Sequence, residues 1–195
     1  MAGGLGNDTF VVDNMLDVAT ELATQGTDLV QSSVSFTLRA DIDDLELTGV
    51  TSIDGTGNLH ANRLTGNSAF NTMSGQDGSD VLIGMGGNDR LTGGNGAEHF
   101  VFVSRASGID TITDFNELAG GAEQGDRLRF EGIGVGVFTY LGTGAFTGGS
   151  NNSEARVSGN QVLVDSDGNG SADITILLSG LTSAAQLAAS DFVWI

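Results

Sequence analysis

An acidic or amide side chain recurs at every ninth position through the middle of this 195-residue chain. In five consecutive nonapeptides, the sixth position holds Asn62, Asn71, Asp80, Asp89 and Glu98. Carboxylate, amide and carbonyl oxygens are the ligands that Ca²⁺ prefers, and the chain has no cysteine to suggest a softer metal. Acids that a repeat fixes in place are better explained as ligands than as an acid/base pair. The spacing therefore predicts several calcium ions bound along the chain.

Two further columns of the repeat define the elements that must position these ligands. Position one is always glycine, and position eight is always large and apolar. These residues are Gly57, Gly66, Gly75, Gly84 and Gly93, and Leu64, Met73, Leu82, Leu91 and Phe100. Glycine permits a tight turn, and the residues around position eight can form a short strand with an inward central side chain. Eighteen residues should then make one coil, and stacked coils should form two facing parallel sheets around a thin apolar core.

The charge balance indicates that a cation is missing from the sequence. The chain has 25 acidic and seven basic residues and a formal net charge of −18. This charge argues against nucleic-acid binding and against attraction to anionic membranes. No apolar run is long enough for membrane insertion, and the N-terminus lacks the features of a classical signal peptide. Stacked turns would gather the acids into columns, where a bound cation would offset their repulsion.

The nonapeptides resemble the RTX, or repeats-in-toxin, family, whose repeat is G-G-x-G-x-D-x-U-x. The resemblance implies a calcium-binding parallel β-roll in which each ion lies between turns eighteen residues apart. The earlier turn would supply the carbonyls of positions two and four, the later turn those of positions one and three, and both would supply position six. The implied sets are Asn67, Ala69 and Asn71 with Gly84, Gly86 and Asp89; Gln76, Gly78 and Asp80 with Gly93, Asn95 and Glu98; and Asn58, His60 and Asn62 with Gly75, Asp77 and Asp80. Because asparagine is uncharged and Glu98 is one methylene longer than aspartate, we expect the sites that use them to be weaker or empty.

The N-terminal third contains a looser form of the repeat. GGLGNDTFV at 3–11 matches it fully, and ATQGTDLVQ at 23–31 offers a further glycine turn. An ion between these turns would be held by Gly4, Gly6, Asp8, Ala23, Gln25 and Asp28. The segments 27–38 and 43–55 have the alternating or apolar-rich pattern of strands, and we interpret them as wider coils without metal.

The C-terminal half resembles the C-terminal region of serralysin-type proteases and related type I secreted proteins. The matching segments are D-T-I-T-D-F at 110–115, G-D-R-L-R-F at 125–130 and D-S-D-G-N-G-S-A-D at 165–173. The resemblance implies that Asp110 closes the last calcium turn, with Asp114 and Asp126 as weaker candidates. We therefore predict an all-β chain with an RTX parallel β-roll over 1–103 and a β-rich, sandwich-like cap over 104–195.

Two C-terminal segments have specific interpretations. The segment 165–173 fits a glycine hairpin between strands, or an ion-binding loop without the final glutamate of an EF-hand. The segment SAAQLAA, 183–189, is the one convincing short helix in the sequence.

The sequence contains no H-E-x-x-H or G-x-S-x-G motif, so we predict a non-catalytic module, the C-terminal piece of a longer protein. One hypothesis is a calcium-triggered folding and export module of an extracellular bacterial protein. The terminal ASDFVWI resembles the uncleaved signal read by a type I secretion exporter, and a final strand is the simpler interpretation. The alternative is an acidic-polysaccharide module, as repeat modules of alginate epimerases suggest by resemblance, with Arg127, Arg129 and Arg156 as the candidate contacts.

Overall fold

The structure, a computed structural model, is built almost entirely of short β-strands. It describes residues 1–23, 25–115, 125–149 and 151–195. Within these ranges the strands form an eight-stranded sheet, here sheet A, and a nine-stranded sheet, here sheet B. In spatial order, sheet A contains β1 (Thr9–Val12), β2 (Leu29–Ser32), β4 (Asp44–Leu47), β6 (Arg63–Thr65), β8 (Val81–Ile83), β10 (His99–Phe102), β12 (Arg127–Phe130) and β17 (Phe192–Trp194). Sheet B contains β3 (Phe36–Thr37), β5 (Gly55–Thr56), β7 (Thr72–Asp77), β9 (Arg90–Asn95), β11 (Ile109–Ile112), β16 (Ile174–Leu178), β15 (Gln161–Asp165), β14 (Glu154–Ser158) and β13 (Thr139–Tyr140).

The chain winds as a parallel β-solenoid through the nonapeptide region. Successive strands alternate between the two sheets, and each pairs in parallel with the strand one coil later. Leu64 pairs with Leu82 in sheet A, and Met73 pairs with Leu91 in sheet B, so one coil contains eighteen residues. The predicted β-roll, with one half-turn per nonapeptide, is confirmed.

The core is a pair of apolar stacks that run along the solenoid between the sheets. In sheet A the inward residues at matched register are Phe10, Val30, Leu45, Leu64, Leu82, Phe100, Leu128 and Phe192. In sheet B, Met73, Leu91 and Ile112 form the corresponding stack. All of these side chains are buried, and the interpretation of position eight as an inward residue is confirmed. Because each side chain packs on the equivalent side chain one coil away, removal of one residue affects two neighbouring coils.

Coil length varies widely outside the nonapeptides, and the turns absorb the variation. Asp28 and Asp43 occupy equivalent places in adjacent coils although they are 15 residues apart in sequence. Glu98 and Asp126 are likewise equivalent across a separation of 28 residues. Strands β2, β3 and β4 lie within the segments 27–38 and 43–55, which confirms their predicted strand character, and β5 begins at the end of the second segment. The prediction that these coils are wider is wrong for the coil from Leu29 to Asp44, which has 15 residues, and right for the coil from Asp44 to Arg63, which has 19.

The C-terminal half extends the same two sheets. Strand β11 pairs in parallel with β16, and β16, β15 and β14 then pair antiparallel. The hairpin of β15 and β16 encloses the segment 165–173, as the hairpin interpretation requires. Because both sheets continue past residue 103, they do not mark the predicted boundary between 1–103 and 104–195, which stays a prediction.

The chain ends in a strand that covers the last coil of sheet A. Strand β17 pairs in parallel with β12, and the Trp194 ring stacks on Phe130 and Phe138. The predicted helix at 183–189 is instead two 3₁₀ turns, Ala184–Gln186 and Ala189–Asp191, because Leu187 has an extended backbone and is buried. Within the described residues, no helix is long and apolar enough to cross a membrane.

Candidate calcium sites

The position-six residues form two columns, one along each edge where turns lead into a sheet. The column before sheet A, here turn column A, contains Asp8, Asp28, Asp43, Asn62, Asp80, Glu98 and Asp126. The column before sheet B, here turn column B, contains Asn71, Asp89 and Asp110. Most of these side chains are buried, although all are polar and most are acidic. The solenoid therefore encloses two rows of buried carboxyl groups.

Most of these acids use one carboxylate oxygen to join neighbouring coils: Asp28, Asp43, Asp80, Asp89, Asp110 and Asp126 each accept a backbone N–H of the coil before. Asp80 Oδ1 accepts the backbone N–H of Asn62 at 2.8 Å, and Asp89 Oδ1 accepts that of Asn71 at 2.8 Å. Asp110 accepts the N–H of Asp89 in the same manner, at 2.8 Å. The same bond joins Asp8 to Asp28, Asp28 to Asp43 and Glu98 to Asp126. This ladder fixes each side chain, so its second oxygen has a defined place.

The second oxygens are buried and have no hydrogen-bond partner. Among the described residues, this set comprises Asp8 Oδ2, Asp28 Oδ2, Asp80 Oδ2, Asp89 Oδ2 and Glu98 Oε1. A buried carboxylate oxygen without a partner is strongly unfavourable unless a cation compensates it. These five oxygens lie in turns rich in backbone carbonyls, which is the donor chemistry of a calcium site. The residues therefore fit Ca²⁺.

Burial also shifts the acidity of these groups. Loss of hydration raises the pKa of Asp80 and that of Asp89 to about 6, and it raises the pKa of Asp110 to about 7. The pKa of Glu98 is raised as well, first by burial and then by the neighbouring Asp126 carboxyl. A positive ion between the coils would oppose all of these shifts, because it favours the ionised form.

The position-six carboxylate leaves no room for a side chain at position one, which explains the glycine there. A Cβ on Gly75 would lie 2.1 Å from Asp80 Oδ2, and one on Gly84 would lie 2.4 Å from Asp89 Oδ2. At the following position, Gly94 has φ +108°, and a Cβ there would lie 1.7 Å from the carbonyl oxygen of Gln76 in the preceding coil. Glycine is required because the turn packs against its own position-six carboxylate and against the neighbouring coil.

The structure brings together the turns that the sequence analysis paired. The turn 84–89 stacks on 66–71, where Gly86 N–H donates to Asn67 O at 3.3 Å. The turn 93–98 stacks on 75–80, where Gly78 N–H donates to Asn95 O at 2.9 Å. In turn column A, 57–62 precedes 75–80, and Val81 N–H donates to Asn62 O at 2.9 Å. The ligand sets themselves remain predictions.

The asparagines have a different role from the acids. The Nδ2 group of Asn62 donates to the carbonyls of Ile42 and Asp43 at 3.2 and 3.1 Å, and that of Asn71 donates to Ile53 O at 2.7 Å. Ile42 and Asp43 lie in the turn before β4, and Ile53 lies in the turn before β5. These turns present C=O groups where a nonapeptide turn presents an N–H.

The position-two asparagines of the same turns act likewise. Asn58 donates to the carbonyls of Arg39 and Ile42, each at 2.8 Å, and Asn67 donates to Thr51 O at 2.9 Å. The pattern G-N-x-x-x-N thus joins a nonapeptide coil to the coil before it through amide donors. At the predicted site of Asn58, His60 and Asn62, these three residues supply no negative charge. A carboxylate there would come from the facing turn 75–80.

Two further acidic groups stand outside the nonapeptides. Glu21, which the sequence analysis did not consider, places a carboxylate oxygen within 4.8 Å of oxygens of Asp8 and Asp28. Its glycine-poor surroundings gave no motif signal. Asp165, Asp167 and Asp173 also offer oxygens within 4.8 Å of one another, but both Asp165 oxygens accept backbone N–H groups of the hairpin turn. The hairpin thus accounts for the fully buried Asp165.

Comparison with known proteins supports the identification of the nonapeptides as calcium-binding repeats. Residues 65–97 match the family model of the RTX calcium-binding nonapeptide repeat, with four copies. No curated protein matches the chain. Among solved structures, the chain is similar to the solution structure of the AlgE6R3 subunit from the Azotobacter vinelandii mannuronan C5-epimerase. The two are 28% identical, with 82% of each chain covered and a TM-score of 0.45. The chain therefore contains RTX calcium-binding repeats within a β-solenoid.

Replacement of Asn62 by aspartate should destabilise the protein by at least about 1–3 kcal/mol, because it removes the donor to two carbonyls and places a carboxylate against them. Asn14→Asp is a matched control, since exposed Asn14 accepts a hydrogen bond through Oδ1 and an aspartate can do the same. Urea denaturation in millimolar calcium measures both variants. Higher stability of Asn62→Asp in calcium would show that this junction binds metal instead.

Without calcium, the protein should become more stable as the pH falls from 7.5 to 5.5. The folded-state pKa values of about 6 for Asp80 and Asp89 and about 7 for Asp110 exceed the usual value of 3.8, so the folded form binds more protons over this range. The penalty disappears only below the unfolded-state pKa. Circular dichroism in EGTA at each pH measures the effect as a gain in strand content toward pH 5.5, and the chain stays above its isoelectric point of about 4.1.

Asp80→Asn is the control for this pH dependence. It should reduce the gain in stability, because it removes one of the groups that bind protons on folding. In saturating calcium the sign should reverse, since protons then compete with the ion. Strand content that rises with pH in EGTA would contradict the assignment of these carboxyls as buried and uncompensated.

Proposed function

We propose that this chain is a calcium-triggered folding and export module of a larger secreted bacterial protein. The observation that carries the proposal is the set of five buried carboxylate oxygens without partners in turns that pack coil on coil. Three of these residues, Asp28, Asp80 and Asp89, also hold neighbouring coils together through their other oxygen. Calcium binding and formation of the solenoid are therefore coupled through the same side chains.

The energetics favour a switch between two calcium concentrations. Extracellular calcium sites bind at roughly 10⁻⁴–10⁻³ M. In millimolar calcium, each of the tighter sites adds about 1.4 kcal/mol, so four add on the order of 6 kcal/mol. This sum is comparable to the stability of a typical domain. At submicromolar calcium the contribution is close to zero, and the self-repulsion of a formal charge of −18 remains.

Export explains why such a dependence would be useful. An exporter channel passes unfolded chains, and the proposed module stays unfolded where calcium is scarce. Outside the cell, calcium removes the unfolded form from equilibrium and opposes return of the chain. The proposed localisation is extracellular, and the proposed partners are calcium and a type I exporter. The RTX repeat is a non-catalytic type of domain, so any activity belongs to another part of the parent protein.

Circular dichroism in EGTA and in millimolar calcium tests the folding switch. At pH 7.5 we expect strand content and cooperative melting to appear only with calcium, and Asp80→Ala or Asp89→Ala to raise the calcium concentration needed. Asp173→Ala is the matched control from the hairpin. Equal spectra in EGTA and calcium would contradict the proposal, and a larger effect of Asp173→Ala would move the main site to the hairpin.

Deletion of Asp191–Ile195 tests the export signal. Secretion through a matching type I exporter should be lost, because the terminal acid and apolar residues are the proposed signal. The deletion also removes β17 and the Trp194 stack, so a variant that only loses stability is required. Leu82→Ala is that control, since it leaves a cavity in the core and keeps the terminus. If the deletion is secreted as well as Leu82→Ala, the terminus is only a strand.

Binding of an acidic polysaccharide is the second candidate. The structure corrects the proposed arginine cluster: Arg127 and Arg129 lie on β12 of sheet A, whereas Arg156 lies on β14 of sheet B. Arg129 also pairs with Glu131 at 2.7 Å. Contact with such a ligand would therefore depend on bridging calcium. Titration with alginate oligosaccharides, with and without calcium, separates this function from folding alone.

A further inference from the structure

The first coil of the solenoid brings three carboxyl groups to one point. Asp8, Glu21 and Asp28 each offer an oxygen, and these oxygens lie within 4.8 Å of one another. Asp8 and Asp28 are the position-six residues of adjacent coils. Glu21 is not a position-six residue, and the nonapeptide pattern has no acid at its place in the coil.

Glu21 stands where a regular coil has its position-one glycine. The bridge between Ala2 and Thr20 aligns Gly3 with Glu21 in the next coil. The side chain of Glu21 turns back toward the first coil, and both of its oxygens lie 3.2 Å from the N–H of Gly4. A Cβ on Gly3 would lie 2.2 Å from Glu21 Oε2 and 2.5 Å from Asp8 Oδ2, so both oxygens face the same small space.

Asp28 contributes a buried carboxylate oxygen that lacks a partner at this point. Its side chain is 1% exposed, and its Oδ1 accepts the N–H of Asp8 at 2.8 Å. Its Oδ2 is buried and has no hydrogen-bond partner, and the same holds for Asp8 Oδ2. In the described ranges, the ion pairs join Arg105 to Asp167 and Arg129 to Glu131, so neither reaches this cluster.

The chemistry of the cluster selects a hard divalent cation. All three side chains are carboxylates, and three negative charges at this spacing repel strongly when partly shielded from water. Calcium affinity rises with the number of charged ligands in a site. A partly open cavity of about 320 Å³ is lined by Gly4, Glu21 and Gln25 among others, so the Glu21 side of the cluster lies next to an opening in the surface.

We propose that Asp8, Glu21 and Asp28 form a calcium site of higher affinity than the nonapeptide sites. The proposal rests on the proposed function, because it assumes that the chain binds calcium. It assigns a ligand, Glu21, that the repeat motif does not contain. As calcium rises, this site fills first, and the N-terminal coil is ordered before the sites at Asp80 and Asp89 are occupied.

Calorimetric titration of the calcium-stripped full chain with CaCl₂ tests the site. Glu21→Gln removes the charge but retains an oxygen that can accept the Gly4 N–H. We expect the tightest class of sites to lose affinity by about tenfold or more, with the weaker classes unchanged. Glu46→Gln is the matched control, because Glu46 lies on the outer face of β4 and accepts a hydrogen bond from Gln31 that glutamine can also accept.

The outcomes separate this proposal from the proposed function. Calcium binding by the wild type with an unchanged tightest class in Glu21→Gln overturns the Glu21 site and leaves the calcium module intact. Absence of calcium binding in the wild type overturns both. If Glu21→Gln is unfolded in millimolar calcium, the titration is followed by circular dichroism at higher calcium. Recovery of the fold there supports a metal ligand, and no recovery contradicts it.

Discussion

The structure depends on carboxyl groups that are buried with only half of their hydrogen-bonding capacity used. One oxygen of Asp80 or Asp89 joins two coils, and the other has no partner in the protein. A hydrophobic core alone would favour stacked coils, because the inward leucine and phenylalanine residues are well buried. The same stacking gathers like charges and strips their water. The proposed calcium ions would act on the balance between these two effects.

The asparagines show what happens where that balance is not needed. Asn62 and Asn71 occupy the same columns as the acids, but the coil before each of them presents carbonyl oxygens. An amide supplies the donor there, and no charge is introduced. The turn columns thus contain two kinds of junction: those that an asparagine completes with its amide, and those in which a buried carboxylate oxygen has no partner. At the N-terminal end the junction has more negative charge instead of less, because Glu21 adds a third carboxyl group to those of Asp8 and Asp28.

Much of the architecture could be predicted because it follows from local rules. Gly75 and Leu82 each have a fixed task within one half-turn, and the alternation of turn and strand needs no distant partner. The strands of the segments 27–38 and 43–55 were also recognisable from their residue pattern. The joining of Asp28 to Asp43 and of Glu98 to Asp126 was not, since 15 and 28 residues separate them and the period gives no guide. The three arginines were grouped wrongly for a similar reason, because their sheet assignment depends on how the last strands fold back.

The sequence by itself determined the period, the inward stack, the glycine turns and the donor chemistry, because each is encoded within nine residues. Only the tertiary structure decided which acids meet, since that depends on coil lengths that carry no repeat. It also decided that Asn62 acts as a donor, because its role is set by the carbonyls of Ile42 and Asp43 in the neighbouring coil. The convergence of Glu21 with Asp8 and Asp28 likewise exists only once the first two coils are stacked, when the aligned backbones bring distant carboxylates into one small space.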